Sequence, residues 1–181
     1  NFVLSSVLPK LAMTDRIGSI TGELRRFARR GVGHIGRVPL TDVFAGVQLL
    51  VSDRFRTAKV RLNLPAVPPD LAVKAGRVRL EQVIVNLLHN ALDAVERTEA
   101  PWVAVTLQIQ AEQVVLDVED SGTGIAPDVA DRLFMPFAST KANGLGLGLH
   151  IALEIMTDFG GSLEYVAGSE HTLFRIRLER A

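Results

Sequence analysis

The chain has 181 residues, 48% of them hydrophobic, with 20 Lys+Arg against 20 Asp+Glu. That supplies a core for one domain plus an appendage, and the balanced charge argues against nucleic acid or an anionic membrane surface as a partner. The absence of cysteine excludes disulfide scaffolds, thiol nucleophiles and cysteine-ligated zinc, and fits a cytoplasmic location. No apolar run approaches membrane-spanning length and no leader peptide opens the chain, so no membrane contact is expected of it; beginning at Asn1 rather than Met, it is expected to be part of a longer protein.

In chain order, residues 1–30 carry Met13, Ile17, Ile20, Leu24 and Phe27 at 4-3-4-3 spacing, one stripe of a bundle or coiled-coil helix that Pro9, Gly18 and Gly22 weaken. GVGHIGRVP, residues 31–39, reads as a glycine-rich linker, and the globular part is expected over 40–181. There Thr41 and Asp42 are expected to cap a short helix ending near Ser52. VRLNL and LAVK read as short strands around a Pro-rich turn. A helix over Arg79–Arg97 follows. From Pro101 the period becomes two, with Val103, Val105, Leu107 and Ile109 on one strand face and Val114, Leu116 and Val118 on the next. A last helix over Leu147–Asp158, stopped by Gly160 and Gly161, leads to strands SLEYVA and HTLFRIRL.

Three segments carry candidate chemistry. In the helix, Leu80, Ile84, Leu88, Ala91 and Val95 form an apolar face, and Gln82, Asn86, Asn90, Asp93 and Arg97 the opposite one. Asn86 and Asn90 are one turn apart. Either they belong to a solvated face, or a carboxamide oxygen holds Mg²⁺ whose other ligands are phosphates and water. In VVLDVEDSGTGI, alternation places Asp120 at the end of an inward apolar row, before the turn Ser121-Gly122-Thr123-Gly124. An ionised Asp there accepts hydrogen bonds only and suits the exocyclic amine of adenine, or it caps the turn through its own backbone. In NGLGLGLHIALEIM, glycines 144, 146 and 148 run into a helix start, which makes either a phosphate site or a hinge.

Taken together and in this order, EQVIVNLLHNALDAV, DSGTGI, LFMPFASTK and GLGLGLHIALEIM resemble the nucleotide-binding boxes of the GHKL ATPase superfamily, over roughly Val38 to Leu178. The nearest branch is the sensor histidine kinases, and within it the nitrogen-regulation and C4-dicarboxylate type. The resemblance implies an α+β, two-layer sandwich with a mixed, mostly antiparallel sheet and helices on one face, preceded by the second helix of a dimerisation and phosphotransfer bundle. It implies a homodimeric protein-histidine kinase that binds Mg²⁺ and ATP and transfers the γ-phosphate to a histidine on a bundle helix, for onward transfer to the receiver aspartate of a response regulator. By that resemblance Asn90 coordinates Mg²⁺ and Asn86 supports the triphosphate. Asp120 binds adenine, with Gly122, Gly124 and Ile125 shaping its pocket. Thr140 and Lys141 face the phosphates with the backbone of Gly144, Leu145, Gly146, Leu147 and Gly148, while Phe134 and Phe137 anchor the lid.

Two departures bear on activity. Hydrolytic relatives typically carry Glu where Asn86 stands, and an amide is no general base, which favours transfer over hydrolysis. No phosphoacceptor motif surrounds His34, His89, His150 or His171, so the acceptor helix is expected upstream of Asn1. The alternatives are a GHKL-type ATP hydrolase and a non-catalytic nucleotide-binding module; the missing acceptor and a short lid, with only Ala142 and Asn143 between Lys141 and Gly144, leave room for the latter.

Overall fold

The computed structural model describes residues 34–96, 98–138 and 146–181; the bundle-type helix expected before residue 31 lies outside them. Strand β1 (Gly36–Pro39) leads into helix α1 (Leu40–Ala58), then β2 (Arg61–Asn63), β3 (Ala72–Ala75), helix α2 (Arg77–Val95), β4 (Trp102–Ile109), β5 (Gln113–Asp120), a single turn α3 (Pro127–Ala130), α4 (Gly148–Asp158), β6 (Ser162–Tyr165) and β7 (Thr172–Glu179). Five strands form one sheet in the order β2-β4-β5-β7-β6, with β2 parallel to β4 and every other pair antiparallel. Helices α1, α2 and α4 pack side by side, with α2 in the middle and over β4 and β5. This is the mixed two-layer α+β sandwich that the sequence leads one to expect.

Alternation along the strands divides the sheet into two faces. Val103, Val105, Val114, Leu116, Val118, Phe174, Ile176 and Leu178 are buried beneath the helices. The other face carries Thr106, Asp117, Arg175 and Arg177, with Arg175 donating to both carboxylate oxygens of Asp117 at 2.7 Å. Because α2 has neighbours on two sides and the sheet below, its buried set extends beyond the expected stripe to Val83, Val85, Leu87 and Leu92. Ion pairs fix it laterally: Arg54 of α1 with Asp93, and Arg79 with Asp158 at the end of α4, each at 2.5 Å.

Two expectations need correction. Residues 36–39, the second half of the expected linker, are strand β1, paired antiparallel with β3 from Gly36↔Ala75 to Pro39↔Ala72. The glycines mark a local break, but the partner lies more than thirty residues on and leaves no local signal. The helix expected to end near Ser52 runs on to Ala58, where Lys59 closes it in a left-handed conformation with φ 56°. Its start has no side-chain cap. Pro39 stands at the N-cap, so Thr41 and Asp42 fall inside the first turn, and the Leu40 N–H donates to the Leu71 carbonyl at 3.0 Å. Val43, Phe44, Val47, Val51 and Phe55 bury one face throughout, and that packing carries the helix beyond Ser52.

Candidate functional site

The site forms between the middle helix and the end of the central strand. Asp120 closes β5, in register with Val103 on β4 and Thr172 on β7, and is 3% exposed. Its Oδ1 accepts the Gly122 N–H at 2.8 Å, so the turn-capping role read from the sequence is present. It does not exclude a ligand role, because capping by one N–H leaves most of the carboxylate's acceptor capacity. Burial pushes the Asp120 carboxyl up from its ordinary range; the Gly122 N–H, the Thr172 hydroxyl and nearby His171 act in the opposite sense, and Glu119 adds to the rise. Glycine is required at 122 by contact, since a Cβ there would lie 2.6 Å from Asp120 Oδ1. It would also stand 3.7 Å from the Cβ of Ala94 and 3.6 Å from Thr172 Oγ1, which places the last turn of α2 directly beside the Asp120 turn.

From Ala94, the polar row of α2 runs back through Asn90 to Asn86, one turn per step. Asn86 and Asn90 are both half-buried rather than solvated. At the far end of the row, Asn86 Nδ2 donates to the Gly148 carbonyl at 3.2 Å, bringing the first turn of α4 against the helix. No side chain caps that turn. The N–H groups at the start of a helix have no partner within it, and the helix dipole makes them attractive to anions. Eight residues of helix separate Ala94 from Asn86, about 12 Å at 1.5 Å per residue. The α2 row is therefore a floor with a buried acceptor at one end and a helix N-terminus at the other.

The segment after α3 borders this floor. Phe134 packs edge-to-face on Phe174 of β7, ring centroids 6.3 Å apart, and His150 Nδ1 lies 3.0 Å from the Phe134 carbonyl. Phe137, expected as a second anchor, is instead 72% exposed with φ 63°; of the two, it is Phe134 that packs on Phe174. Gly146 has φ +66°, and a Cβ there would meet the backbone of Phe137 and Ala138 at 2.7–2.8 Å, so the chain leaves at 138 and returns at 146 in contact with itself. Thr140, Lys141, Gly144 and Leu145 lie outside the described residues. Of the remaining site residues, Leu147 is buried, Gly148 and Ile125 are half-buried and Gly124 is exposed in the turn.

Asp120 and Gly122 thus lie beside the last turn of α2, and Asn86 with Gly148 at the other end of its polar row. The structure adds Thr172 and Ala94, which the sequence analysis missed. Thr172 is buried opposite Asp120, and only the β5–β7 register, invisible to local pattern, brings it there. His171, left out of the site, stands edge-on to Trp102 with centroids 5.2 Å apart. Among the described residues no group of three His, Cys, Asp or Glu side chains converges as a metal cage. The donor set fits only an ion that brings most of its own ligands.

Residues 75–181 match the family model described as histidine kinase-, DNA gyrase B- and HSP90-like ATPase. The C4-dicarboxylate transport sensor protein DctB of Rhizobium meliloti (strain 1021) is 43% identical over 171 residues, 93% of this chain and 27% of that protein. The chain spans about a quarter to a third of the length of the curated relatives it matches, which are named as sensor proteins or sensor histidine kinases. Among solved structures, the catalytic domain of histidine kinase ThkA aligns with a TM-score of 0.72 at 26% identity, over 81% of this chain and 95% of that one. ThkA in complex with response regulator protein TrrA aligns with a TM-score of 0.74 at 22% identity, over 94% of this chain and 49% of that one; at that identity the likeness is of fold alone.

Proposed function

The chain belongs to the family of histidine kinase-, DNA gyrase B- and HSP90-like ATPases, and from that premise we propose that its globular part is the catalytic domain of a sensor histidine kinase, which holds Mg·ATP on the α2 floor and passes the γ-phosphate to a histidine on a dimeric helical bundle. The observation that carries the reading is the floor itself. A buried carboxylate suited to a base amine and an uncapped helix N-terminus suited to an anion stand at opposite ends of one asparagine row, with about 12 Å of helix between Ala94 and Asn86. Asp120 accepts the adenine amine, with Thr172 beside it. The α4 start, with Lys141 and Thr140, receives the phosphates.

Asn90, at the middle of the row, supplies one carboxamide oxygen to a Mg²⁺ that the triphosphate brings with it, in keeping with the preference of that ion for phosphate and water ligands. When bound, the ion neutralises charge on the β- and γ-phosphates. Asn86 donates to Gly148 and has no basic atom, so it cannot activate water. The chain's own residues then bind, align and shield the nucleotide, and the γ-phosphate awaits a nucleophile from outside. In this reading residues 1–30 contribute the second bundle helix, with the acceptor helix before Asn1, and the catalytic unit takes in β1 as well as 40–181. The partners are that acceptor helix and the receiver domain of a response regulator, in a homodimeric cytoplasmic region of a sensor. No described helix is long and apolar enough to cross a membrane.

The test follows labelled γ-phosphate from Mg·ATP, with this chain alone and then mixed with the upstream helical fragment of its parent. Acid-labile, base-stable label on that fragment supports the proposal. Steady release of free phosphate by the chain alone makes it a hydrolase and overturns the role given to Asn86.

A further inference from the structure

His150 lies in the first turn of α4, two residues after Gly148, with its side chain 27% exposed. Its Nδ1 stands 3.0 Å from the Phe134 carbonyl. A carbonyl oxygen only accepts, so Nδ1 carries the proton, and Nε2 faces Glu154 one turn along, 3.9 Å from Oε1. The turn that follows the glycine run is therefore gripped from two sides. Asn86 holds its Gly148 carbonyl from α2, and His150 reaches out to the segment that Phe134 seats on Phe174. Phe174 in turn contacts Tyr165 of β6, centroids 5.8 Å apart, so the segment His150 holds is tied through β7 to the sheet.

We propose that His150 is a positioning residue for the phosphate end of the nucleotide: by fixing the first turn of α4 against the Phe134 segment, it aims the N–H groups of that turn along the α2 floor. The inference rests on the nucleotide reading above. It gives a directional function to a histidine whose place in the sequence, just after the glycines, suggests only surface or packing. Asn86 provides the complementary tie from α2, so the turn is held from both sides.

The test compares the wild-type chain with His150→Ala and His150→Asn, titrating Mg·ATP, ADP and adenosine calorimetrically and recording thermal melts. The Asn amide nitrogen takes the place of Nδ1 in the ring. Loss of one positioning hydrogen bond predicts about a three- to tenfold weaker Mg·ATP affinity for His150→Ala, with adenosine affinity unchanged and His150→Asn close to wild type. Unchanged Mg·ATP affinity in His150→Ala, an equal loss for adenosine, or no rescue by Asn would each overturn the assignment. Failure of the wild-type chain to bind any of the three ligands would instead overturn the nucleotide reading on which it rests.

Discussion

Asp120→Asn keeps the shape of the side chain and removes its charge, and the structure decides how the amide must sit. Oδ1 of Asp120 accepts the Gly122 N–H at 2.8 Å. A second donor cannot occupy that position, so the amide turns its oxygen toward Gly122 and its NH₂ toward the pocket, where the adenine amine meets donor with donor. Two losses combine: a hydrogen bond to a charged acceptor, about 1.5–3 kcal/mol, and a buried donor left unsatisfied, about 1–3 kcal/mol. Together they predict Mg·ATP binding weaker by at least about 50-fold. Stability moves the other way. Burial raises the Asp120 pKa in the fold, so between the ordinary carboxylate pKa and the raised one the folded chain holds more protons than the unfolded chain, and stability falls as pH rises. Above that window the wild-type carboxylate is ionised at a cost to the fold, which Asn avoids. Calorimetric titration at neutral pH should find the affinity lost, and thermal melts should find the variant no less stable than wild type. Nucleotide affinity within about threefold of wild type would remove Asp120 from the pocket, and a lower melting temperature would refute the burial argument.

Asn90→Ala should weaken Mg²⁺-dependent ATP affinity more than affinity measured with the metal chelated; equal losses would make Asn90 structural. Gly122→Ala introduces a Cβ 2.6 Å from Asp120 Oδ1, forcing the carboxylate to turn, and should weaken Mg·ATP by about tenfold, the equivalent of one hydrogen bond; unchanged affinity in a titration would show that Asp120 has freedom the packing denies it. Arg175→Ala leaves Asp117, 6% exposed, without its two-pronged donor on the sheet face opposite α1, α2 and α4. Chemical denaturation should find it destabilised by about 2–3 kcal/mol with nucleotide affinity intact, and a loss of affinity would mean that the two faces communicate.

The fold was legible where periodicity and burial agree. The alternation from Val103 to Ile109 and from Val114 to Val118, and the apolar spacing of Leu80, Ile84, Leu88, Ala91 and Val95, predict the sheet and its central helix because each pattern reports a local geometry. What escaped the sequence was set by long-range pairing. Gly36–Pro39 is a strand only because Ala72–Ala75 runs beside it, and Thr172 joins the site only through its pairing with Asp120. Asn86 was read toward a ligand, and the structure adds its bond to Gly148, 62 residues away. His150 carries no signal in the sequence at all, since its partner is a main-chain oxygen that any residue at 134 would offer.

The β1–β3 pair also leads to the start of α2. Gly36, the first residue of β1, lies against Ala75, and only Gly76 separates Ala75 from the first residue of α2. The end of the chain meets the same strand: Ala181 donates to Ala72 at 3.0 Å, and Val73 bridges to Arg180 beyond β7. Residues 36–39 and 180–181 thus clasp β3 from two sides, one residue before the helix that carries Asn86 and Asn90 begins.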